Sequence, residues 1–427
     1  MTTTDANHPA SAGYLPTLHV LFFAALVGLG AGLAAALFLW LLAQAGTAWV
    51  QYPVLLWGLP LVGAAVAWAY HWAGARAGAG NNLVIDAVHD PETNRVPLRM
   101  FPLVLTGTVL THLCGGSAGR EGTAVQMAGS LAGALIRAAR LDTRDARVVL
   151  MASLSAGFAA VFGTPLAGTV FGMEVLAAGT VRSRALLPCL LAALVGDATV
   201  RLCGIGHATY AVTDRMGMSV ANVGWLVAAG VVFALVAVVF IELTHLIDST
   251  ATRWVTDPRV RTALGGVVVI AMTLLAGTHT YNGLSLDLLD AAFTPAGVVA
   301  WAFAAKLLFT AVTLGFGYKG GEVTPLFVIG ATLGATMGIA AGLPPTVMAA
   351  LGFVTVFAAA AQTPIAGVLM AIELFGVGMA LPATICLAVA VAAVGERGLY
   401  PSQRLSLFHE GFMAPQSGPR RAERRRR

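Results

Sequence analysis

The chain has 427 residues, of which 58% are hydrophobic and only 11% are charged, and its formal net charge is +5. Because soluble domains carry about 25% charged residues, this composition excludes an ordinary soluble protein and indicates an integral membrane protein that crosses the bilayer repeatedly. Seven of the arginines lie between Arg404 and Arg427. Such a tail is weak evidence for a nucleic-acid partner, which we do not expect, and better evidence for a cytoplasmic C-terminus.

The polar or small residues 1–16 precede an apolar run, Leu18–Val50, that is too long for the core of a signal peptide, so we expect it to remain as a membrane helix. A second apolar block, Pro53–Trp72, is followed by a polar interlude over Gly74–Arg99. The apolar stretches that follow are Pro102–Cys114, Ala124–Ala139, Val148–Ala178, Ala185–Val200, Val220–Ile247, Ala263–Ala276, Pro295–Phe316, Pro325–Ala341, Thr346–Phe375 and Leu381–Val394. Because some are too short to span a bilayer and others reach about thirty residues, the pattern predicts tilted, broken and re-entrant helices.

The four cysteines and nine histidines show no metal-ligand spacing and no disulfide framework. We interpret Cys114, Cys189, Cys203 and Cys386 as small hydrophobic residues within or beside apolar helices. The sequence therefore predicts neither a metal site nor a cofactor.

Two stretches of the chain resemble each other. Phe162-Gly-Thr-Pro-Leu-Ala-Gly168 is followed by Glu174, and Ala361-Gln-Thr-Pro-Ile-Ala-Gly367 is followed by Glu373, each nine residues after the proline of its motif. Each motif also follows a glycine-rich turn that contains a glutamate. Corresponding glycine-interrupted segments in two halves are typical of transporters built from internal repeats, whose binding site lies where the broken helices meet. We interpret Glu174 and Glu373 as structural residues that cap helices or pack the two halves together.

The first of these turns lies in the stretch Gly115–Gly129, which places Arg120 and Glu121 between long apolar runs. An intramembrane carboxylate is costly and is a candidate functional residue. The following run predicts a helix, whose N-terminal amides and partial positive charge favour an anion. A carboxylate there either competes with the anion or carries a proton. The alternative is a loop at the membrane edge with a solvated ion pair, whereas a P-loop is excluded because no Gly-Lys-Ser/Thr follows.

The second turn, Gly320–Pro325, combines a glycine pair with a proline and predicts a helix that begins near Leu326. If both turns point inward, two sets of backbone amides converge on one anion. Glu322 is then a second buried carboxylate, and pairing with Lys319 or Lys306 is its alternative role.

A third glycine-rich turn, Gly78–Leu83, contains Asn81 and Asn82. Their side-chain amides can donate hydrogen bonds to an anion without adding charge, although an ordinary polar turn also explains them. Near the end of the chain, Tyr400 either presents its hydroxyl to a pore or belongs to an interfacial aromatic belt.

Gly119-Arg-Glu-Gly122, followed in order by the Thr-Pro-Leu-Ala-Gly and Gly-Gly-Glu-Val-Thr-Pro segments, resembles the signatures of the CLC superfamily of chloride channels and proton-coupled anion antiporters. The resemblance covers roughly Leu18–Ser402. It implies an all-α polytopic membrane protein with a CLC-type inverted repeat of tilted, broken and re-entrant helices, forming a homodimer in the lipid bilayer with one pathway per subunit. The expected divisions are a polar N-terminal segment 1–16, a transmembrane domain 17–402 with halves of about 17–204 and 219–402, and a basic tail 403–427.

Four departures from the usual family motifs narrow the resemblance. Gly80-Asn-Asn-Leu stands where chloride-selective members usually have Gly-Ser-Gly-Ile-Pro, and Thr123 replaces the proline after Gly-Arg-Glu-Gly. Val175 stands where proton-coupled chloride exchangers have a second, inner glutamate. Gly-Glu-Val-Thr-Pro at 321–325 replaces Gly-Ile-Phe-Ala-Pro. This set is similar to the branch of the superfamily that exchanges fluoride for protons.

The resemblance also implies roles for individual residues. Glu121 corresponds to the gating glutamate that blocks the anion path and carries the proton. Asn81 corresponds to the serine position, and a shift of the alignment by one residue would place Asn82 there instead. With Val175 unable to carry a proton, Glu322 becomes the candidate for the inner proton step. The anion-binding set implied by the resemblance is Asn81, Gly122, Val323, Thr324 and Tyr400.

The implied function is proton-coupled antiport that exports fluoride in exchange for protons across a bacterial inner membrane and gives fluoride resistance. The first alternative is a chloride/proton exchanger or a chloride channel of the same superfamily. Val175 counts against the former and Glu121 against a permanently open channel. A membrane-embedded enzyme is less favoured, because it requires a metal cluster or a nucleophile–base constellation and no His-Glu-x-x-His motif occurs.

Overall fold

A computed structural model describes residues 18–404 except residue 213 and residues 295–296, so the segment 1–16 and the tail from residue 405 lie outside the described residues. The described part of the chain forms sixteen α-helices with short 3-10 and π turns between some of them. The first eight are α1 (Leu18–Gln51), α2 (Leu59–Ala69), α3 (Asn81–His89), α4 (Met100–Leu113), α5 (Glu121–Ala139), α6 (Thr143–Phe162), α7 (Pro165–Glu174) and α8 (Ser183–Leu202). The other eight are α9 (Val220–Trp254), α10 (Pro258–Ala276), α11 (Leu286–Ala291), α12 (Ala302–Gly315), α13 (Val323–Ala341), α14 (Pro345–Ala361), α15 (Pro364–Phe375) and α16 (Ala380–Val394).

Within the described residues, eight helical segments are long and apolar enough to cross a membrane by length and composition. Four shorter apolar helices, α4, α12, α14 and α15, have 14, 14, 17 and 12 residues. A bilayer core requires about 20 helical residues, so these helices cover only part of its thickness. The predicted mixture of spanning and partial helices is confirmed.

Two apolar runs are each divided into two helices at matching places. Val148–Ala178 breaks after Gly163, whose φ of 71° ends α6, and α7 begins at Pro165. Thr346–Phe375 breaks after Gln362, whose φ of 57° ends α14, and α15 begins at Pro364. A proline lacks the N–H that would continue the preceding helix, and it pushes the residue before it out of the α region. The matching breaks confirm the repeat that the two motifs predict.

The halves meet head to tail through two glutamates. Glu174 at the end of α7 accepts hydrogen bonds from Ile365 N (3.0 Å) and Ala366 N (2.8 Å) at the start of α15. In the other direction, Glu373 at the end of α15 accepts hydrogen bonds from Leu166 N (2.9 Å) and Ala167 N (2.8 Å) at the start of α7. Each glutamate therefore satisfies N–H groups at a helix N-terminus of the other half that would otherwise be unpaired. The reciprocity fits an inverted repeat and confirms the structural interpretation of both residues.

Small residues and aromatic rings build the core within each half, and rings also meet between the halves, where the centroids of Phe162 and Phe327 are 5.0 Å apart. Gly330 on α13 lies against Gly352 on α14 so closely that an added Cβ on either would overlap the backbone carbonyl of the other. Small residues allow such close backbone approach in membrane helix pairs. Phe327 on α13 stacks on Phe353 with ring centroids 4.0 Å apart, and Phe158 on α6 stacks on Phe171 at 4.1 Å. This packing holds the broken helices of both halves around the middle of the molecule.

Two helix starts differ from the sequence predictions. The interlude Gly74–Arg99 contains α3, which begins at Asn81, so the asparagine pair opens a helix. The sequence does not show this helix as an apolar run, because polar residues such as Asp86 and His89 lie within it. Its apolar residues are nevertheless buried: Leu83, Val84, Ile85, Ala87 and Val88. The helix expected near Leu326 begins at Val323, because Pro325 is tolerated in the first turn, where its missing N–H has no helical partner.

Candidate functional site

The two glycine-rich turns lie side by side. Gly119 N donates to Gly321 O at 2.6 Å, and Gly321 N donates to Gly119 O at 2.8 Å. An added Cβ on Gly119 would stand 2.8 Å from Cδ of Pro325, and one on Gly321 would stand 2.9 Å from the amide nitrogen of Gly122. Only glycines permit this approach, which brings the N-termini of α5 and α13 together, as the sequence predicts.

Glu121, the first residue of α5, is bound to the N-terminus of α13. Its side chain is 1% exposed, and its carboxylate accepts hydrogen bonds from Thr324 N (2.9 Å), Thr324 Oγ1 (2.5 Å) and Arg120 N (3.2 Å). Arg120 Nε lies 3.4 Å from the same carboxylate. The carboxylate therefore occupies donors that a bound anion would need. Its burial contradicts the alternative of a solvated ion pair at the membrane edge.

A small space, here named the central cavity, adjoins this carboxylate. The volume that the centre of a water molecule can reach in this cavity is about 10 Å³. That is room for about one water molecule. Five of the residues singled out in the sequence line it together with Glu121: Asn81, Gly122, Val175, Val323 and Tyr400. The apolar side chains of Ile85, Val125, Leu154, Phe158 and Phe171 complete the wall. Thr324 does not line this cavity and instead binds Glu121.

The two neighbouring asparagines have different surroundings. Asn82 Oδ1 accepts a hydrogen bond from Ser402 N at 3.2 Å, which ties α3 to the segment after Tyr400. Asn81 lines the central cavity, and its buried Oδ1 has no hydrogen-bond partner among the described residues. Its Nδ2 would stand 2.9 Å from a Cβ added to Gly122. Asn81, and not Asn82, therefore lines the cavity beside Glu121.

A second space, the small vestibule, has a volume of about 180 Å³ and shares Asn81 and Tyr400 with the central cavity. Glu322 and Lys319 also line it. No ion pair joins Glu322 to a lysine among the described residues, and its buried Oε2 has no hydrogen-bond partner there. Lys319 Nζ lies 4.5 Å above the ring of Tyr70. The expected alternative, in which Glu322 pairs with a lysine, is wrong, and Tyr400 is 4% exposed, which excludes an interfacial belt position.

A third space, the large vestibule, has a volume of about 930 Å³. The end of α1, residues 205–208, residues 277–280 and residues 282–287 line it. Arg120 and His112 also line it. The neighbouring residues Arg120 and Glu121 thus border different spaces, the large vestibule and the central cavity, and Glu322 borders the small vestibule.

Two polar residues near these spaces escaped the sequence interpretation. His112 on α4 places Nε2 3.0 Å from Ala118 O, and Gln126 on α5 lines the small vestibule. A polar residue inside an apolar run was the available signal for both. Lys306 on α12, which the sequence analysis considered only as a partner of Glu322, is fully buried. Gly115-Gly-Ser-Ala-Gly119 also has the Gly-x-Ser-x-Gly spacing of a nucleophile turn. Ser117 is fully buried and hydrogen-bonded to Thr310 Oγ1 at 2.9 Å, in a place closed to a substrate.

Among the described residues, no three His, Cys, Asp or Glu side chains cluster to hold a metal ion. The chemistry available at the site is therefore that of two carboxylates, backbone amides, a side-chain amide and hydroxyls. Such a set can supply hydrogen-bond donors to an anion, and its carboxylates can hold a proton.

Comparisons with known proteins agree with this arrangement. The family model described as voltage gated chloride channel matches residues 61–395. The chain is 46% identical over 392 residues to the "Chloride/fluoride channel protein" of Pseudomonas syringae pv. tomato, covering 90% of this chain and 86% of the relative. It is 25% identical to the "H(+)/Cl(-) exchange transporter ClcA" of Yersinia pestis, covering 84% of this chain and 80% of the relative.

Solved structures give the same result. A crystal structure of a CLC-type fluoride/proton antiporter superposes with a TM-score of 0.88 at 32% identity, covering 91% of this chain and 98% of that chain. A slow cyanobacterial Cl-/H+ antiporter shares the fold, with a TM-score of 0.76 at 19% identity over 88% of this chain and 94% of that chain. The resemblance to the CLC superfamily and its fluoride/proton antiporter branch is confirmed, and the chain is a multi-pass membrane protein that belongs to the voltage gated chloride channel (CLC) family.

Proposed function

We propose that this protein exports fluoride in exchange for protons, with Glu121 as both gate and proton carrier. The observation that carries the proposal is the Glu121 carboxylate bound to Thr324, between the large vestibule and the central cavity. An anion cannot take those donors while a carboxylate holds them. Protonation removes the charge that makes these hydrogen bonds strong, so the protonated side chain releases its place to the anion.

The central cavity would then hold the anion after Glu121 leaves. The backbone amides of Val323 and Thr324 at the start of α13 supply donors and the positive end of the helix. Asn81 and Tyr400 add an amide and a hydroxyl on the other side. The Thr324 hydroxyl, which now binds Glu121, becomes a further donor. An anion therefore exchanges its water for several fixed hydrogen bonds.

The size and polarity of the cavity favour fluoride over chloride. Fluoride is close to water in size and is strongly hydrated, so its site must be small and rich in donors. The central cavity has the space of about one water molecule. The names of the similar proteins, a chloride/fluoride channel protein and a fluoride/proton antiporter, support the same choice. Chloride, which is larger, would need the cavity to expand.

The test is anion efflux from liposomes that contain the purified protein, with fluoride and chloride electrodes and external pH recorded together. We expect fast fluoride efflux, opposing proton uptake and slow chloride efflux. Equal or faster chloride movement with proton uptake would make the protein a chloride/proton exchanger. Chloride movement without proton uptake would make it a chloride channel. Absence of all ion movement would contradict every transport assignment.

Asn81 gives the first prediction. Asn81→Ala removes an amide from the central cavity, whereas Asn82→Ala removes a hydrogen bond to Ser402 outside it. We expect fluoride flux to fall about tenfold in Asn81→Ala, the effect of losing about 1.4 kcal/mol of stabilisation. Asn82→Ala is the matched control and should retain most of the flux. The assignment fails if the two variants have equal flux.

Glu322 is proposed to carry the proton between the central region and the small vestibule. Its carboxylate lines that vestibule with one oxygen unpartnered among the described residues, and Val175 supplies no carboxylate to the central cavity. We expect Glu322→Gln to lose most proton uptake while the protein still folds. The matched control is Glu242→Gln, which removes a glutamate that pairs with Arg397. Proton uptake at the wild-type rate in Glu322→Gln would end this role.

The basic residues support a proposed membrane orientation. His19 Nδ1 at the start of α1 lies 3.5 Å from Asp145 Oδ2, which places the starts of α1 and α6 at one end. Arg182, Arg147 and Arg404 lie close enough together to interact electrostatically, so basic residues cluster in this region. By the positive-inside rule we assign this end to the cytoplasm. The tail after Arg404 would then be cytoplasmic, and the large vestibule, lined by the other end of α1, would face outward.

The cellular setting completes the proposal. The named bacterial relative supports placement in a bacterial inner membrane. There the protein would act as a homodimer with one anion path per subunit and give the cell fluoride resistance. The divisions at 1–16, 17–204, 219–402 and 403–427 remain predictions.

A further inference from the structure

Lys306 is a buried charge that the transport scheme above does not use. Its side chain on α12 is fully buried. Its Nζ donates to Ser117 Oγ (2.9 Å), Ser285 Oγ (2.9 Å), Gly283 O (2.8 Å) and Tyr281 O (3.3 Å). The two carbonyl oxygens can only accept a hydrogen bond. Four oxygen atoms around one nitrogen fit an ammonium ion.

No carboxylate balances this charge. Among the described residues no ion pair includes Lys306, and its four oxygen partners are neutral. Among the described residues, the titratable group close to Lys306 is His112 on α4, and Arg120 is also close to His112. Neither side chain is negative. A buried charge without a counter-charge costs several kcal/mol. An anion transporter has two negative charges available nearby, the gating carboxylate and the transported ion.

The position of Lys306 links it to the gate. Ser117 lies in the turn that leads to Glu121, and its backbone N donates to Thr313 Oγ1 at 3.2 Å. Gly283 and Ser285 line the large vestibule. The ammonium therefore lies between the wall of that vestibule and the turn that carries the gate. It contacts neither the gating carboxylate nor the central cavity.

We propose that Lys306 is the fixed counter-charge of the gate. Its positive charge stabilises the negative charge that occupies the gate region, which is the Glu121 carboxylate when the gate is closed and the anion when Glu121 is protonated. Lys306 is thus a positioning residue that acts at a distance, by its charge. This inference rests on the proposed role of Glu121.

The proposal predicts the sign of two changes. A nearby positive charge favours the carboxylate over the carboxylic acid, so its removal makes Glu121 easier to protonate. The other titratable and charged groups close to Glu121 among the described residues are Arg120, Glu322, Tyr400 and Tyr210, and a neutral residue at 306 leaves them in place. If transport requires protonated Glu121, the pH profile moves to higher pH. The same loss of positive charge weakens attraction for fluoride and raises the half-saturating concentration.

The test uses the full-length protein in liposomes, with fluoride flux and proton uptake measured against external pH and fluoride concentration. Lys306→Met should raise the midpoint of the pH profile by about half a unit or more and the half-saturating fluoride several-fold. Lys306→Arg keeps the charge and should keep both values near wild type. Ser117→Ala, which removes one hydrogen bond and no charge, should keep the midpoint. Lys306→Gln is a second neutral variant with polar atoms, for use if Lys306→Met does not fold.

The outcomes separate the inference from the proposed function. An unshifted midpoint in the neutral variants would overturn the counter-charge role. A shift of equal size in Lys306→Arg or Ser117→Ala would also overturn it, because packing and not charge would then be responsible. A wild-type protein that moves fluoride without protons would overturn the role proposed for Glu121 first, and this inference with it.

Discussion

Glu121→Gln is expected to abolish proton uptake during fluoride efflux, by a factor of about one hundred or more. Glutamine has nearly the shape of the glutamate but cannot gain or lose a proton in the working pH range. Its carbonyl oxygen can still accept a hydrogen bond from Thr324 N or Oγ1, without the strength that a negative charge gives. Any fluoride that still moves should therefore move without protons. The fold should remain, because the substitution changes few packing contacts.

The matched control for this prediction is Asp287→Asn, which removes a carboxylate from the lining of the large vestibule and leaves Thr324 untouched. Proton uptake and fluoride efflux should stay close to wild type in this variant. The two variants are compared in the same liposomes by pH and fluoride electrodes. Proton coupling that survives in Glu121→Gln would remove Glu121 from its central role.

Glu174→Gln is expected to lower the stability of the folded protein by about 2–3 kcal/mol. The Glu174 carboxylate is fully buried and accepts two backbone hydrogen bonds, from Ile365 N and Ala366 N. A glutamine has one oxygen that accepts and an NH₂ group that cannot. One of the two N–H groups at the start of α15 is then left unsatisfied in a place that water does not reach. Loss of the negative charge at the helix N-terminus adds to the cost.

The equivalent substitution in the other half, Glu373→Gln, is the matched comparison. Glu373 also accepts two backbone hydrogen bonds, but its surroundings are partly exposed, so water can satisfy the N–H group that is released. We therefore expect a smaller loss. The measurement is the midpoint of thermal unfolding in detergent for both variants and the wild type. Equal midpoints for Glu174→Gln and the wild type would contradict the capping role.

The parts of the fold that the sequence predicts well are those with a local chemical cause. Pro165 and Pro364 interrupt long apolar runs, and both breaks are present in the structure. The glycine-rich turns before Glu121 and Glu322 predict helix N-termini that meet, and the Gly119–Gly321 pairing joins them. These features depend on missing N–H groups and missing Cβ atoms, which sequence letters record directly.

Features that depend on a distant partner could not be predicted. Asn81 and Asn82 are neighbours of the same type, and only the position of Ser402 decides which of them faces the central cavity. The spacing of Glu174 and Glu373 indicates equivalent positions but not that each caps the helix of the other half. The resemblance of motifs to a known family supplied the candidate site residues, whereas charge and spacing alone left several roles open.

The surroundings of Lys306 also depend on distant partners. From the sequence, an ion pair between Lys306 and Glu322 was an alternative to the proton-carrying role of Glu322, because a buried lysine usually needs a carboxylate. Its oxygen partners instead come from two separate segments, at Ser117 and at Tyr281–Ser285. Backbone carbonyl groups carry no signature in the sequence, so this surrounding could not be foreseen.

The most direct measurement of the central claim is proton movement driven by a fluoride gradient alone. Liposomes that contain the wild-type protein are loaded with fluoride, placed in fluoride-free buffer whose pH is above that of the interior, and monitored for external pH. Coupled exchange predicts that protons enter the liposomes against their own gradient while fluoride leaves, and that Glu121→Gln does not show this uptake. Fluoride efflux without uphill proton uptake in the wild type would contradict the account.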